Sequence, residues 1–213
     1  MVKQERALRT RQAILSAAAR IFEERSYQAA TISEILADAG VTKGALYFHF
    51  PSKESLAQGV LHEQNLKPPA PDHPCKIQQL IDTVVLHAHR LQTDPMVRAG
   101  VRLSLDQQAQ GLDRSGPFHA WSQLGTHLLQ QAKNQGELLP HVTPAETADV
   151  LVGAFAGVQA MSQAQTNYQD LPTRVSALLR HILPSITIPT ILTTIDLTPT
   201  RGATIHNQLH TTT

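Results

Sequence analysis

The stretch Thr31 to Phe50, TISEILADAGVTKGALYFHF, constrains this chain more than any other. It reads as two short helices joined by a tight turn. Thr31-Ile32-Ser33-Glu34 has the form of a capping box, in which the Thr hydroxyl accepts the Glu34 N–H and the carboxylate reaches back to the Thr31 N–H. Ile32, Ile35 and Leu36 then give the first helix one apolar face. Gly40 is free to take the left-handed conformation that closes a helix and turns the chain. Thr42 is placed to cap a second helix, from about Lys43 to His49.

The second helix has an unusual composition for a surface helix. Ala45, Leu46 and Phe48 are expected to pack inward, leaving Lys43, Gly44, Tyr47 and His49 toward solvent. Its cation sits at the N-terminal end, where the helix dipole disfavours positive charge unless an anion is close by. Gly44 lowers helix stability and removes a side chain where a groove wall would have to approach. Such a helix suits insertion into the DNA major groove by its N-terminal end. Two short helices around a glycine also occur in many other folds, so spacing alone leaves DNA binding and plain packing both open.

The run VTKGALYFHFPSKESL, preceded by a long N-terminal helix, resembles the DNA-binding domain of the TetR family of transcriptional regulators. Within that family the chain is most similar to the gamma-butyrolactone autoregulator receptors of filamentous actinomycetes. RAGVRLSLDQQ (98–108), PFHAW (117–121), NQGELLP (134–140) and YQDL…HILP (168–184) carry this closer likeness. The resemblance covers roughly residues 4–190. It implies an all-α protein with three parts. Residues 1–51 would form the helix-turn-helix domain, 52–190 a helical ligand-binding and dimerisation bundle, and 191–213 a C-terminal tail.

Charge and helical pattern agree with that division. The net charge of +1 over 213 residues is too small to mark a nucleic-acid binder by itself. The first eleven residues, however, set Lys3, Arg6, Arg9 and Arg11 against Glu5 alone, a local basic arm. Ile14, Ala17, Ala18, Ile21 and Phe22 form the inward stripe of a helix over about 4–25. Ser26 stands where the family commonly has glycine, at a cost of about 1 kcal/mol if that position is left-handed. Further helices are predicted over 76–93, 95–108, 117–136, 144–166 and 171–183, with a proline-rich break at 66–74. Asp94-Pro95 reads as a helix start, and Thr143-Pro144-Ala145-Glu146 as a second capping box. Residues 184–213 read as a short helix or extended piece, then a frayed last dozen with no assigned function.

Carried over residue by residue, the resemblance implies a set of DNA contacts. Arg6, Arg9 and Arg11 would lie beside the backbone or minor groove. Thr31, Ser33 and Thr42 would donate hydroxyls to phosphates, Tyr47 and His49 would touch the backbone, and Lys53 at a helix start would meet a phosphate. Lys43 is the candidate to read a base edge, most naturally guanine O6/N7, with Gly44 beside it. The ordinary reading of these charges is a solvated helix face.

The resemblance also implies a homodimer on a palindromic operator of double-stranded DNA. Val150 to Met161 is apolar nearly all round, which is typical of a helix buried on more than one side. Its Gly153, Gly157 and Ala160 form a small-residue stripe that a second subunit could approach. Val175, Leu178, Leu179 and Ile182 would complete the contact. Trp121 matches the ligand-pocket tryptophan of the butyrolactone receptors and would cover a lactone ring. Gln64, Gln159 and Ser162 are candidates for its carbonyl and hydroxyl groups, and Leu86, Val101, Leu105 and Phe155 for its alkyl tail. The ordinary reading makes Trp121 core and gives the polar groups backbone partners.

Other chemistry is poorly supported. The single Cys75 excludes an internal disulfide framework and suits a reducing, cytoplasmic setting. No apolar run reaches the ~18 residues needed to span a bilayer. His87 and His89 fall on different helix faces, and His73 near Cys75 lacks a second ligand pair, so no metal is expected. No nucleophile elbow or phosphate loop occurs, and no cofactor or catalytic residue is assigned. The expected function is a repressor that releases its operator on binding a gamma-butyrolactone or butenolide, in control of secondary-metabolite genes. The alternatives are a pseudo-receptor or drug-efflux regulator sensing antibiotics, and a lactone-hydrolysing enzyme.

Overall fold

The computed structural model describes residues 2–64, 69–109 and 111–211. The order is α1 (Val2–Glu24), α2 (Ile32–Ala39), α3 (Lys43–His49), α4 (Lys53–Glu63), α5 (Lys76–Thr93) and α6 (Pro95–Leu105). It continues with α7 (Ser115–Asn134), α8 (Pro144–Thr166), α9 (Leu171–Ile182), α10 (Pro189–Leu192) and α11 (Arg201–Thr211). The fold class is all-α. Among the described residues the only β-type pairing is an isolated bridge between Leu138 and Thr187. No described helix is long and apolar enough to cross a membrane.

Two compact units divide the chain, residues 1–67 with 94–117 and residues 68–93 with 118–213. The first unit is larger than the expected 1–51 domain, because α4 and α6 pack with α1. Its core joins Ile14, Leu15, Ala18 and Phe22 of α1 to Ile35, Leu46, Leu56 and Val60, and to Met96, Ala99 and Leu103 of α6. At the α1–α6 seam the Arg98 guanidinium meets the Glu23 carboxylate, and the Tyr27 N–H donates to Asp106 at 3.2 Å. These links are far apart in sequence, and helical periodicity carries no record of them.

Local signals account for the helix-turn-helix. The Thr31 hydroxyl accepts the Glu34 N–H at 3.2 Å, and the Glu34 carboxylate accepts the Thr31 N–H at 3.0 Å. Those bonds satisfy donors that a helix start leaves open. Gly40 adopts φ 63°, and its N–H closes α2 on the Leu36 carbonyl. Thr42 caps α3 through the Ala45 N–H, and Ser52 caps α4 through the Ser55 N–H. Ser26 is not left-handed, since the only non-glycine residues at positive φ are Asn167 and Tyr168 among those described. The expected penalty there does not arise.

In the second unit α5, α8 and α9 pack together, and α11 lies along α5. The Glu137 carboxylate caps α5, accepting the Lys76 N–H at 2.9 Å and the Ile77 N–H at 2.8 Å. Asp170 anchors the α8–α9 corner and accepts from Ser162, Thr166 and Arg174. Thr143 precedes α8 but makes no side-chain cap bond, so the second capping box is not formed. Within one chain α8 is covered on one side only. Ala148, Leu151, Gln159 and Ser162 are buried, while Val150, Gly153, Gly157, Ala160 and Met161 are exposed. The expectation of burial on more than one side is not met by this chain alone.

The tail also differs from the frayed end expected of it. Residues 201–211 form α11, with Gly202 and Ile205 buried. Gly202 sits so close to α5 that an added Cβ would lie 2.2 Å from the Val85 carbonyl oxygen. The Arg201 guanidinium donates to Asp82 at 2.7 Å and to Asp196 at 3.0 Å. Gln78 ties the approach segment down, donating to Asp82 and accepting the Asp196 N–H, each at 2.7 Å. Threonine and proline dominate this segment, so its order comes from these tertiary bonds rather than from helix propensity.

Candidate functional sites: a nucleic-acid interface and an aromatic cluster

Helix α3 and its capping residue carry five of the eleven expected DNA contacts, Thr42, Lys43, Gly44, Tyr47 and His49. Thr42, Lys43, Gly44 and Tyr47 are exposed, and Leu46 alone anchors the helix by full burial. Lys43 is the first residue of α3, whose first turn has no acidic side chain. Its ammonium lies 5.9 Å from the centre of the Tyr47 ring. An extra Cβ at Gly44 would meet no atom within 4 Å, so the surface there is open. His49 is half-buried and Tyr47 41 % exposed. A cation, an amphipathic ring and bare backbone on one exposed helix suit a polyanionic groove.

Phe48 corrects the expected inward face. It is 80 % exposed, whereas Phe50 is buried. Phe50 follows the end of α3 in extended backbone at φ −138°, which turns its ring back into the core. Fewer than two helical turns define no face by periodicity, and the sequence held no signal to choose between the two rings.

The surrounding candidates are more occupied. The Lys53 ammonium donates to the Gln28 carbonyl at 3.2 Å and lies 4.8 Å from the Tyr27 ring centre. Burial pulls its pKa below the usual lysine value, against the opposing pull of Glu34. The Thr31 hydroxyl donates to Glu34 at 2.8 Å, so its hydrogen is already used, while Ser33 is exposed. Hydrogen bonds from Thr31 in turn hold the Glu34 carboxyl below its usual range. On α1, Arg6 is exposed, and Arg9 pairs with Glu5 one turn away. Arg11 lies 3.8 Å from Glu63 and over the Phe50 ring at 5.3 Å. Exposed ion pairs of this kind are worth at most about 1 kcal/mol, so phosphates could recruit the same side chains.

The effector candidates are split between the units. Gln64, Val101 and Leu105 fall in the first. There the Gln64 side chain is buried with its Nε2 unpartnered, and an added Cβ at Gly100 would lie 2.3 Å from its Oε1. Val101 is buried and Leu105 exposed. The second unit contains Leu86, Trp121, Phe155, Gln159 and Ser162. Ser162 donates to Asp170 at 2.6 Å, which commits its one proton to the α8–α9 corner. That bond is the leading reason the Asp170 carboxyl is held down at about 2.

Trp121 and Phe155 are joined by His87, which the sequence brings forward only as a metal-ligand candidate and not as part of an effector site. The His87 ring lies 4.7 Å from Trp121 and 5.5 Å from Phe155, centre to centre. Burial, assisted by the charge of Arg90, lowers the His87 pKa to about 4. At neutral pH the imidazole is therefore uncharged, with one nitrogen able to donate and the other to accept. Gln159, one turn beyond Phe155 on α8, is buried, and its Oε1 has no hydrogen-bond partner. A buried polar atom without a partner calls for an explanation. The sequence signal for His87 was its place at inward spacing on α5, seven residues after Leu80 and four before Leu91. No group of three or more His, Cys, Asp or Glu side chains is arranged to hold a metal ion among the described residues.

The chain is similar to known regulators. Residues 14–60 match the family model for bacterial regulatory proteins of the TetR family. The A-factor receptor protein of Streptomyces griseus is 39 % identical over 194 residues, spanning 90 % of this chain and 69 % of that protein. The chain belongs to the TetR family. Full-length TylP, a TetR regulator from Streptomyces fradiae, superposes with a TM-score of 0.88 at 43 % identity, covering 95 % of this chain and 98 % of that one. A gamma-butyrolactone receptor described as ArpA-like gives a TM-score of 0.69 at 29 % identity, covering 98 % and 100 %. As a TetR-family member the protein is a DNA-binding transcriptional regulator and not an enzyme. In that light α2 and α3 form its helix-turn-helix, with α3 as the recognition helix.

Proposed function

We propose that this TetR-family regulator is a homodimeric repressor that releases a palindromic operator when a gamma-butyrolactone or butenolide occupies its second unit. The genes it controls would belong to secondary metabolism, in line with its similarity to the A-factor receptor. The observation that carries the effector reading is the cluster of Trp121, His87 and Phe155, with the unpartnered Oε1 of Gln159 on the next turn of α8 after Phe155. Aromatic and apolar walls with a few aimed polar groups are the usual make-up of a small-ligand site. A neutral His87 can donate to a lactone carbonyl, and Gln159 can accept from a hydroxyl. The exposed apolar stripe of α8, from Val150 through Gly153 and Gly157 to Met161, suits a second copy of the chain. Release requires the effector to bind better to a conformation whose paired recognition helices no longer match the operator spacing.

Trp121 is the sole tryptophan of the chain, which makes its fluorescence a local probe. Titration with gamma-butyrolactones, butenolides and antibiotics is expected to give a saturable change in emission with the lactone classes. The lactone should be recovered unopened. A response to antibiotics alone would replace the lactone reading by that of a pseudo-receptor or drug sensor, and turnover to the ring-opened acid would contradict the role of sensor.

A further inference from the structure

Phe48 is the most exposed large apolar side chain of the described residues, and it projects from the recognition helix itself. A ring 80 % open to solvent contributes little to folding. Its near neighbours leave it accessible. His49 meets it edge-on with ring centres 5.0 Å apart, and Gly44, one turn earlier, brings no side chain. The surface around it has the charge of a DNA-binding face, with Lys43 at the helix start and no acidic residue in the first turn. Major-groove base edges are hydrogen-bonding groups almost throughout, and the C5-methyl of thymine is their one apolar projection.

We propose that Phe48 is a specificity-determining residue of the operator contact, packing against a thymine methyl while Lys43 takes a guanine. The inference rests on the assignment of α3 as the recognition helix. Five residues at about 1.5 Å of rise separate the two side chains by roughly 7.5 Å along the helix, so the thymine belongs to a different base pair from the guanine in each half-site.

The test begins with selection of operators from randomised duplexes by the full-length protein. Each thymine of the selected site is then replaced by uracil, which deletes only the methyl group. One position per half-site is expected to weaken wild-type binding about four-fold, and about fifteen-fold when both half-sites are changed, the value of one buried carbon group each. Phe48→Ala should bind that operator and its uracil form equally, with an unchanged thermal midpoint because the ring lies outside the core. Placing 5-methylcytosine in a cytosine-substituted site should restore part of the wild-type affinity and none in Phe48→Ala. Equal uracil penalties in both proteins, or a Phe48→Ala that alters only the oligomeric state of the free protein, would overturn the proposal. Failure to select any sequence would sink the DNA-reading assignment itself, a distinct outcome.

Discussion

Arg201→Ala is expected to lower the stability of the second unit by about 3 kcal/mol, although the residue lies in a threonine-rich tail. The physical reason is Asp82. Its carboxylate side chain is 6 % exposed and receives two of the Arg201 nitrogens. Removing one partner of a buried pair leaves the other charge uncompensated, which typically costs about 3–5 kcal/mol. The lower end applies because the guanidinium is 22 % exposed and Gln78 still donates to Asp82. For a chain of this size the thermal midpoint should fall by roughly 6–12 °C. Replacing Arg201 and Asp82 together by leucine should recover much of the loss, since no buried charge then remains. A midpoint within about a degree of wild type would show that α11 does not hold α5 in solution.

The second large effect concerns sequence reading. Lys43→Ala is expected to reduce the preference for a selected operator over random duplex by about thirty-fold. A good side-chain contact to a base discriminates by about 1–3 kcal/mol. Lysine presents a point charge without the planar fork of arginine, which favours the lower bound. Two half-sites at about 1 kcal/mol each give that factor. Affinity for random DNA should fall much less. Lys53→Ala serves as the contrast, weakening specific and random binding alike and reducing the salt slope by about one per subunit. Its ammonium also holds the Gln28 carbonyl, so the folded fraction must be measured alongside. Equal losses of specific and random binding in Lys43→Ala would remove its assignment as a base reader.

What could be read from the sequence was short-range. The capping pair Thr31–Glu34, the left-handed Gly40 and the cap at Thr42 are each complete within five residues, and each appears as expected. The inward stripe of α1 is long enough for periodicity to define it. Three features were not legible, for different reasons. Helix α3 is too short for its pattern to separate Phe48 from Phe50. The place of α6 in the first unit depends on partners such as Glu23, seventy-five residues before Arg98. The order of α11 depends on Asp82, more than a hundred residues earlier.

The effector cluster shows the same limit. Trp121 and Phe155 were reached from a family likeness and from helical spacing, yet the ring that joins them, His87, comes from a third helix. Ser162 stood out as a buried hydroxyl on an apolar helix, and that pattern cannot distinguish a ligand anchor from a corner bond to Asp170. That the Gln159 Oε1 has no partner depends on its tertiary surroundings, which spacing along α8 does not record.

The most direct measurement is a titration of the protein–operator complex with a gamma-butyrolactone, following the bound DNA fraction and the stoichiometry of the complex together. The expected result is a palindromic duplex carrying protein in pairs, released saturably by the lactone, with release abolished by Trp121→Ala in a protein that still binds the operator. A complex that persists at saturating lactone, gamma-butyrolactone and butenolide alike, or a single protomer bound per operator, would contradict it.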